Sequence, residues 1–150
     1  RNGTVDGRFL FINAHGGAAS ERMCILPGGS VLIGATAAVG SEKLQVAGSI
    51  LTPTVSFADG DTTPSVSGSN AFLCAYTNTT TITNFDGGAG GQIITIAFVV
   101  PATKTITVDR TNAYLAGGAN LVVAASTRAT LTLVNIGGVW YEIARCNPVS

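Results

Sequence analysis

Charge is what this chain has least of. Only 11% of its 150 residues are Asp, Glu, Lys or Arg, against roughly 25% in an average soluble domain. Eight basic and eight acidic side chains cancel to a formal net charge of zero. A folded surface this poor in charge exposes apolar and hydroxylated area that associates or precipitates when left bare. The composition therefore predicts that much of the surface lies between subunits. The basic residues, from Arg1 and Arg8 to Arg128 and Arg145, are scattered. No stripe of them can track phosphates, which argues against nucleic acid as a partner.

Long hydrophobic runs are also missing. The longest, Ile93–Val100, is interrupted by Thr95 and closed by Pro101, far short of the roughly 20 apolar residues of a membrane-crossing helix. No membrane insertion is expected. Cysteine is sparse: Cys24, Cys74 and Cys146 form no CxxC and no Cys/His cluster, so they read as unbridged small hydrophobes rather than a zinc site. The one histidine, His15, sits in a Gly/Ala stretch with no nucleophile-elbow context, which leaves it a solvated or interface residue. No cofactor motif is present. The opening without an initiator Met or signal peptide reads as a fragment or a processed product, and the sequons at Asn2 and Asn78 matter only in a eukaryotic secretory setting.

What is abundant is glycine in doublets, at Gly28–Gly29, Gly87–Gly88, Gly90–Gly91, Gly117–Gly118 and Gly137–Gly138 among others, with Val, Ile and Thr between them. Short strands joined by tight turns have this signature. No window shows the apolar spacing of a helix, so the chain reads as all-β. Ile94, Ile96, Phe98 and Val100 alternate with Thr95, Ala97 and Val99; Ile106 and Val108, then Leu131 and Leu133, alternate with Thr in the same way. Asn135–Gly138 predicts a hairpin turn into Val139–Arg145.

Residues 1–51 look different, with very short apolar runs at Phe9–Asn13, Met23–Leu26, Val31–Ile33 and Leu44–Ile50. None can bury a core alone, and the stretch Ser30–Ile50 makes sense only if other chains complete it. The division expected is an extended neck over 1–51 and a compact β head over 52–150, broken near Pro53.

The run ERMCILPGGSVLIGATAAVGSEKLQVAGSI from Glu21 resembles a segment that recurs in the distal parts of bacteriophage tail fibres and tail spikes. Asp61–Ser67 (DTTPSVS), Thr81–Gly91 (TITNFDGGAGG) and Gly137–Glu142 (GGVWYE) resemble a β head that follows it in many fibre proteins. Cys24 and Leu26–Pro27 depart from the usual small or polar residues of the first motif. The resemblance implies an intertwined homotrimeric neck followed by an antiparallel β-sandwich or jelly-roll-like head. It also implies a virion appendage, extracellular when mature, joined to other tail proteins and contacting a host-surface glycan or protein. The trimer interface it suggests uses Ile25, Val31, Ile33, Leu44, Val46 and Ile50. Such proteins often lose a self-cleaving chaperone after a Ser, a role Ser150 could fill, as could an arbitrary boundary.

Catalysis is not expected. Glycoside hydrolysis needs two facing carboxyls roughly 5–10 Å apart, and the candidates are Asp59 and Asp61 with Asp86, Asp109 or Glu142. Asp59 and Asp61 lie in a loop, ADGDTTP, where Asp is favoured for turn hydrogen bonds alone. A calcium site at Asp59-x-Asp61 lacks the twelve-residue loop pattern, and GGAGG lacks the Lys and helix of a phosphate loop. Recognition is placed instead on the polar loops Asp59–Asn70, Asn78–Gly91 and Asp109–Asn120, which strand scaffolds commonly use for binding. Asp59, Asp61, Asn78, Phe85, Asp86, Asn112, Tyr114 and Asn120 are the contact candidates, with Tyr114 the most exposed aromatic expected. The readings left standing are a receptor-contacting tip, a purely structural fibre or capsid-decorating knob, and a fragment of a polysaccharide depolymerase.

Overall fold

A computed structural model describes residues 7–15 and 18–149. Ser150 and Asn2 lie outside the described residues. Among those described there are thirteen β-strands, one short 3-10 turn at Ala116–Gly118 and no α-helix, so the protein is all-β. Two compact units divide it, Arg1–Leu51 and Thr52–Ser150.

The N-terminal unit is one four-stranded sheet of β1 (Phe9–His15), β2 (Ala18–Ile25), β3 (Val31–Ile33) and β4 (Leu44–Val46), in that order. β1, β2 and β3 run antiparallel, whereas β4 lies parallel to β3. A parallel neighbour cannot be reached by a tight hairpin, so residues 34–43 cross over between them. Strand β4 stops at Val46 rather than running to Ile50. Gly48, at φ +150°, follows it with a backbone conformation that L side chains rarely adopt.

The C-terminal unit holds nine strands: β5 (Thr54–Ser56), β6 (Ala71–Cys74), β7 (Thr80–Ile82), β8 (Ile93–Val99), β9 (Ile106–Val108), β10 (Ala113–Tyr114), β11 (Leu121–Val123), β12 (Arg128–Ile136) and β13 (Val139–Val149). They form a six-stranded sheet, β10-β13-β12-β8-β6-β5, and a three-stranded sheet, β11-β9-β7. Here the antiparallel expectation is corrected, because both sheets are mixed. β8–β12, β12–β13 and β9–β11 are antiparallel, but β5–β6, β6–β8, β7–β9 and β10–β13 are parallel. From β6 to β9 the chain alternates between the two sheets, so strands two apart in sequence become neighbours. They then point the same way. A tight hairpin joins β12 to β13 through Gly137 and Gly138, whose φ of +63° and +87° fit a type I′ turn.

Both sheets turn their alternating apolar residues into one core. Ile94, Ile96, Phe98, Leu131, Leu133 and Phe72 from the larger sheet meet Ile82, Ile106, Val108, Leu121 and Val123 from the smaller. The loops add Phe57, Val66, Tyr76 and Phe85, and Trp140 closes one end, its indole N–H donating to the Phe85 carbonyl at 3.0 Å. Gly88 lies against that indole so closely that a Cβ there would sit 2.3 Å from a ring carbon. The GGAGG stretch is thus a backbone packed on tryptophan.

Candidate functional site

Register in the N-terminal unit sorts its apolar residues onto two different faces. Cross-strand partners share a face. One row runs Phe9, Ile25, Val31, Leu44 and the next runs Phe11, Met23, Ile33, Val46. Eight apolar side chains therefore carpet one side of the sheet. Phe9 and Leu44 are each 59% exposed, and the Phe9 and Phe11 rings meet edge-on at 5.1 Å. The row between them, Leu10, Cys24, Leu32 and Gln45, faces the other way.

Over β2 to β4 that second side is covered by the chain itself, while Leu10 on β1 stays 42% exposed. The Gln45 amide accepts from Val39 N–H at 2.8 Å and donates to the carbonyls of Gly40 and Glu42, both at 3.2 Å. The Arg8 guanidinium donates to the Thr36 carbonyl at 3.1 Å and to the Cys24 sulfur at 3.5 Å, and pairs with Glu21 at 3.2 Å. Under this crossover Cys24 and Leu32 are fully buried, and they are the only buried apolar residues of the unit among those described. One buried Leu contributes roughly 1.5–3 kcal/mol, while ordering each residue costs about 1–2 kcal/mol. The unit is short of apolar burial by a wide margin, and the carpeted face is where more is to be had. Of the expected interface residues, Ile25, Val31, Ile33, Leu44 and Val46 share this face; Ile50 lies outside the sheet and is exposed. Phe9 and Phe11 join them through the β1–β2 register, and Met23 through its pairing with Ile33.

In the C-terminal unit the three polar loops are laced together. Tyr76 donates its hydroxyl to the Asp61 carbonyl at 2.8 Å, Thr83 N–H donates to the Thr62 carbonyl at 2.7 Å, and Asn112 donates to the Thr83 carbonyl at 3.0 Å. Asn120 accepts from Arg110 N–H at 3.1 Å. The carboxylates are engaged locally. Asp59 accepts from both the hydroxyl and the N–H of Thr77, which hold it below the usual carboxylate range. Asp61 accepts from Thr63 N–H at 2.9 Å, Asp86 from Asn84 at 2.6 Å, and Asp109 from the N–H and hydroxyl of Thr111. The Asn78 side chain donates to the neighbouring Thr77 hydroxyl at 3.4 Å, and its carbonyl accepts from the Thr80 hydroxyl at 3.2 Å. Among the described residues, no group of three or more His, Cys, Asp or Glu is arranged to hold a metal.

Phe85 is corrected as a contact residue: it is buried in the core beside Phe57 and Trp140, each ring 6.3 Å away. Tyr76 and Trp140 are buried too. Tyr114 is 65% exposed and stacks on Tyr141 at 4.9 Å, an exposed pair set by the β10–β13 register. Near it Glu142 accepts from Arg145 at 2.5 Å and from Ala116 N–H at 2.7 Å. The Arg145 contact, then the Ala116 one, draws its pKa down. Cys74 is buried in the core, and burial pushes its thiol up to about 12, which leaves no thiolate for chemistry. Strands β12, β8 and β6 also leave an outer face of Thr, Ala and Val with Ile93 and Leu73, and it carries Arg128 as its charged residue.

A scan against protein-family models finds no match to this chain, and a search of curated proteins finds no relative.

Proposed function

We propose that this chain is the distal part of a bacteriophage tail fibre or tail spike, a virion protein that assembles as a homotrimer and contacts a glycan or protein on the host surface. The observation that carries the proposal is the eight-residue apolar face of β1–β4, set against a unit that buries only Cys24 and Leu32 by itself. Closed symmetry is the common solution for such faces, and three copies around one axis would cover this one. The C-terminal unit, with its own core, then serves as an independently folded head.

Receptor contact is assigned to the laced loops and to the Tyr114–Tyr141 pair, since a rigid sheet scaffold beneath polar loops is the usual setting for recognition. A purely structural fibre or decorating knob is the second reading, favoured by the way the loop carboxylates and amides are engaged with one another. A depolymerase is the third reading, disfavoured by the engagement of Asp59, Asp61, Asp86 and Asp109 with neighbouring Thr and Asn groups. Adsorption of the labelled full chain to a panel of bacteria tests the proposal. Saturable binding to one strain is expected; a stable trimer that adsorbs to none would leave the structural reading.

A further inference from the structure

The C-terminal unit carries a cleft where the ends of two of the laced loops meet. It lies between the turn Ser67–Asn70 and the loop Gly87–Gln92, is lined on another side by Thr52, and is an open concavity of about 290 Å³. Its walls are fixed by one side chain. Gln92 donates to the carbonyls of Val66 and Ser69 at 2.9 and 2.8 Å and accepts from Ala89 N–H at 3.0 Å, tying the two loops together. Ser69 anchors one wall further through its hydroxyl on the Pro53 carbonyl at 2.5 Å. The other wall rests on Trp140 through Gly88. A cleft held this way needs little reordering to accept a ligand.

The lining decides the ligand class. Thr52, Ser67 and Asn70 supply hydroxyl and amide groups, glycine and alanine supply backbone, the Gln92 amide is already spent on Val66, Ser69 and Ala89, and none of the lining residues is ionisable. A charged ligand would give up hydration without a counter-charge, whereas a polyol exchanges water hydrogen bonds for equivalent ones. The volume of about 290 Å³ lies just below the roughly 300–1,000 Å³ of small-molecule sites, enough for one ring and not for a chain. We propose that this cleft takes a single ring of a neutral sugar, such as a hexose or an N-acetylhexosamine. The inference rests on the reading of the C-terminal unit as the host-contacting part, and it names the ligand class for it.

Saturation-transfer NMR on the full chain tests it, with galactose, glucose and N-acetylglucosamine against glucuronate and N-acetylneuraminate. Transfer to at least one neutral sugar and to neither acid is expected. Ser67→Leu and Ala89→Phe fill the cleft from separate loops and should each abolish the signal. Val122→Thr, on the outer side of the three-stranded sheet, should leave it intact. Circular dichroism confirms that each variant folds. No transfer to any neutral sugar, equal transfer to the acids, or a signal that survives both filling variants overturns the proposal. Whole-cell adsorption without any sugar transfer removes the cleft and leaves the host-contact reading standing. Sugar transfer without adsorption to any strain does the reverse.

Discussion

Ile33 and Leu32 are neighbours on β3 with opposite surroundings, and substituting each in turn separates folding from assembly. Ile33 is 41% exposed within the single chain and sits on the apolar face; Leu32 is fully buried under the crossover. Burying a whole Ile contributes roughly 1.5–3 kcal/mol, so covering its exposed two-fifths is worth about 0.6–1.2 kcal/mol per copy. Ile33→Asp forfeits that and adds a carboxylate, whose burial costs several kcal/mol even after relaxation. Three copies near one axis bring the total to about 10 kcal/mol or more, on the order of seven decades in the association constant at about 1.4 kcal/mol per decade. The isolated chain changes little, because the new carboxylate stays in water. Leu32→Ala, by contrast, should cost about 2–5 kcal/mol of the unit's own stability. Light scattering across a concentration series, read with protease resistance of residues 1–51, is the assay. Ile33→Asp should run as a monomer with its C-terminal unit intact. An Ile33→Asp protein that keeps the wild-type mass at micromolar concentration would refute the reasoning.

Two further predictions concern the C-terminal unit. Gly88→Ala places a methyl 2.3 Å from the Trp140 ring, so overpacking of about 1–3 kcal/mol is expected, which lowers Tm by several degrees in a unit of this size; an unchanged melting curve would count against the packing described. Glu142 has a depressed pKa, first through Arg145, so its contribution is present above the ordinary carboxylate value of about 4.3 and is lost as pH falls through the folded value. Glu142→Gln should therefore be less stable than wild type at pH 7, with the gap in urea midpoint closing below about pH 4; a gap independent of pH would contradict this.

Much of the C-terminal fold was legible because its longer strands alternate. Ile94, Ile96 and Phe98 in β8 and Leu131 and Leu133 in β12 declare their buried face, and Asn135–Gly138 declares the hairpin. Parallel pairing was not legible, since it depends on which sheet each short strand joins, and three-residue strands such as β7 and β9 carry no such signal. Phe57 and Phe85 lie in loops between polar residues, where no period marks them as core. In the N-terminal unit Val31, Leu32 and Ile33 are three apolar residues in a row. Sequence alone cannot say that Leu32 turns away from the other two; only the register with Met23–Ile25 and Leu44–Val46 does. The cleft beside Gln92 had no sequence signal, because its lining is made of ordinary turn residues drawn together from three separate stretches.

The central claim is that the apolar face of β1–β4 is shared between copies of this chain. Sedimentation equilibrium of the purified protein tests it most directly. The account predicts a single species of three times the 15.1 kDa chain mass, persisting on dilution to nanomolar concentration. A folded monomer of 15.1 kDa under the same conditions would contradict it.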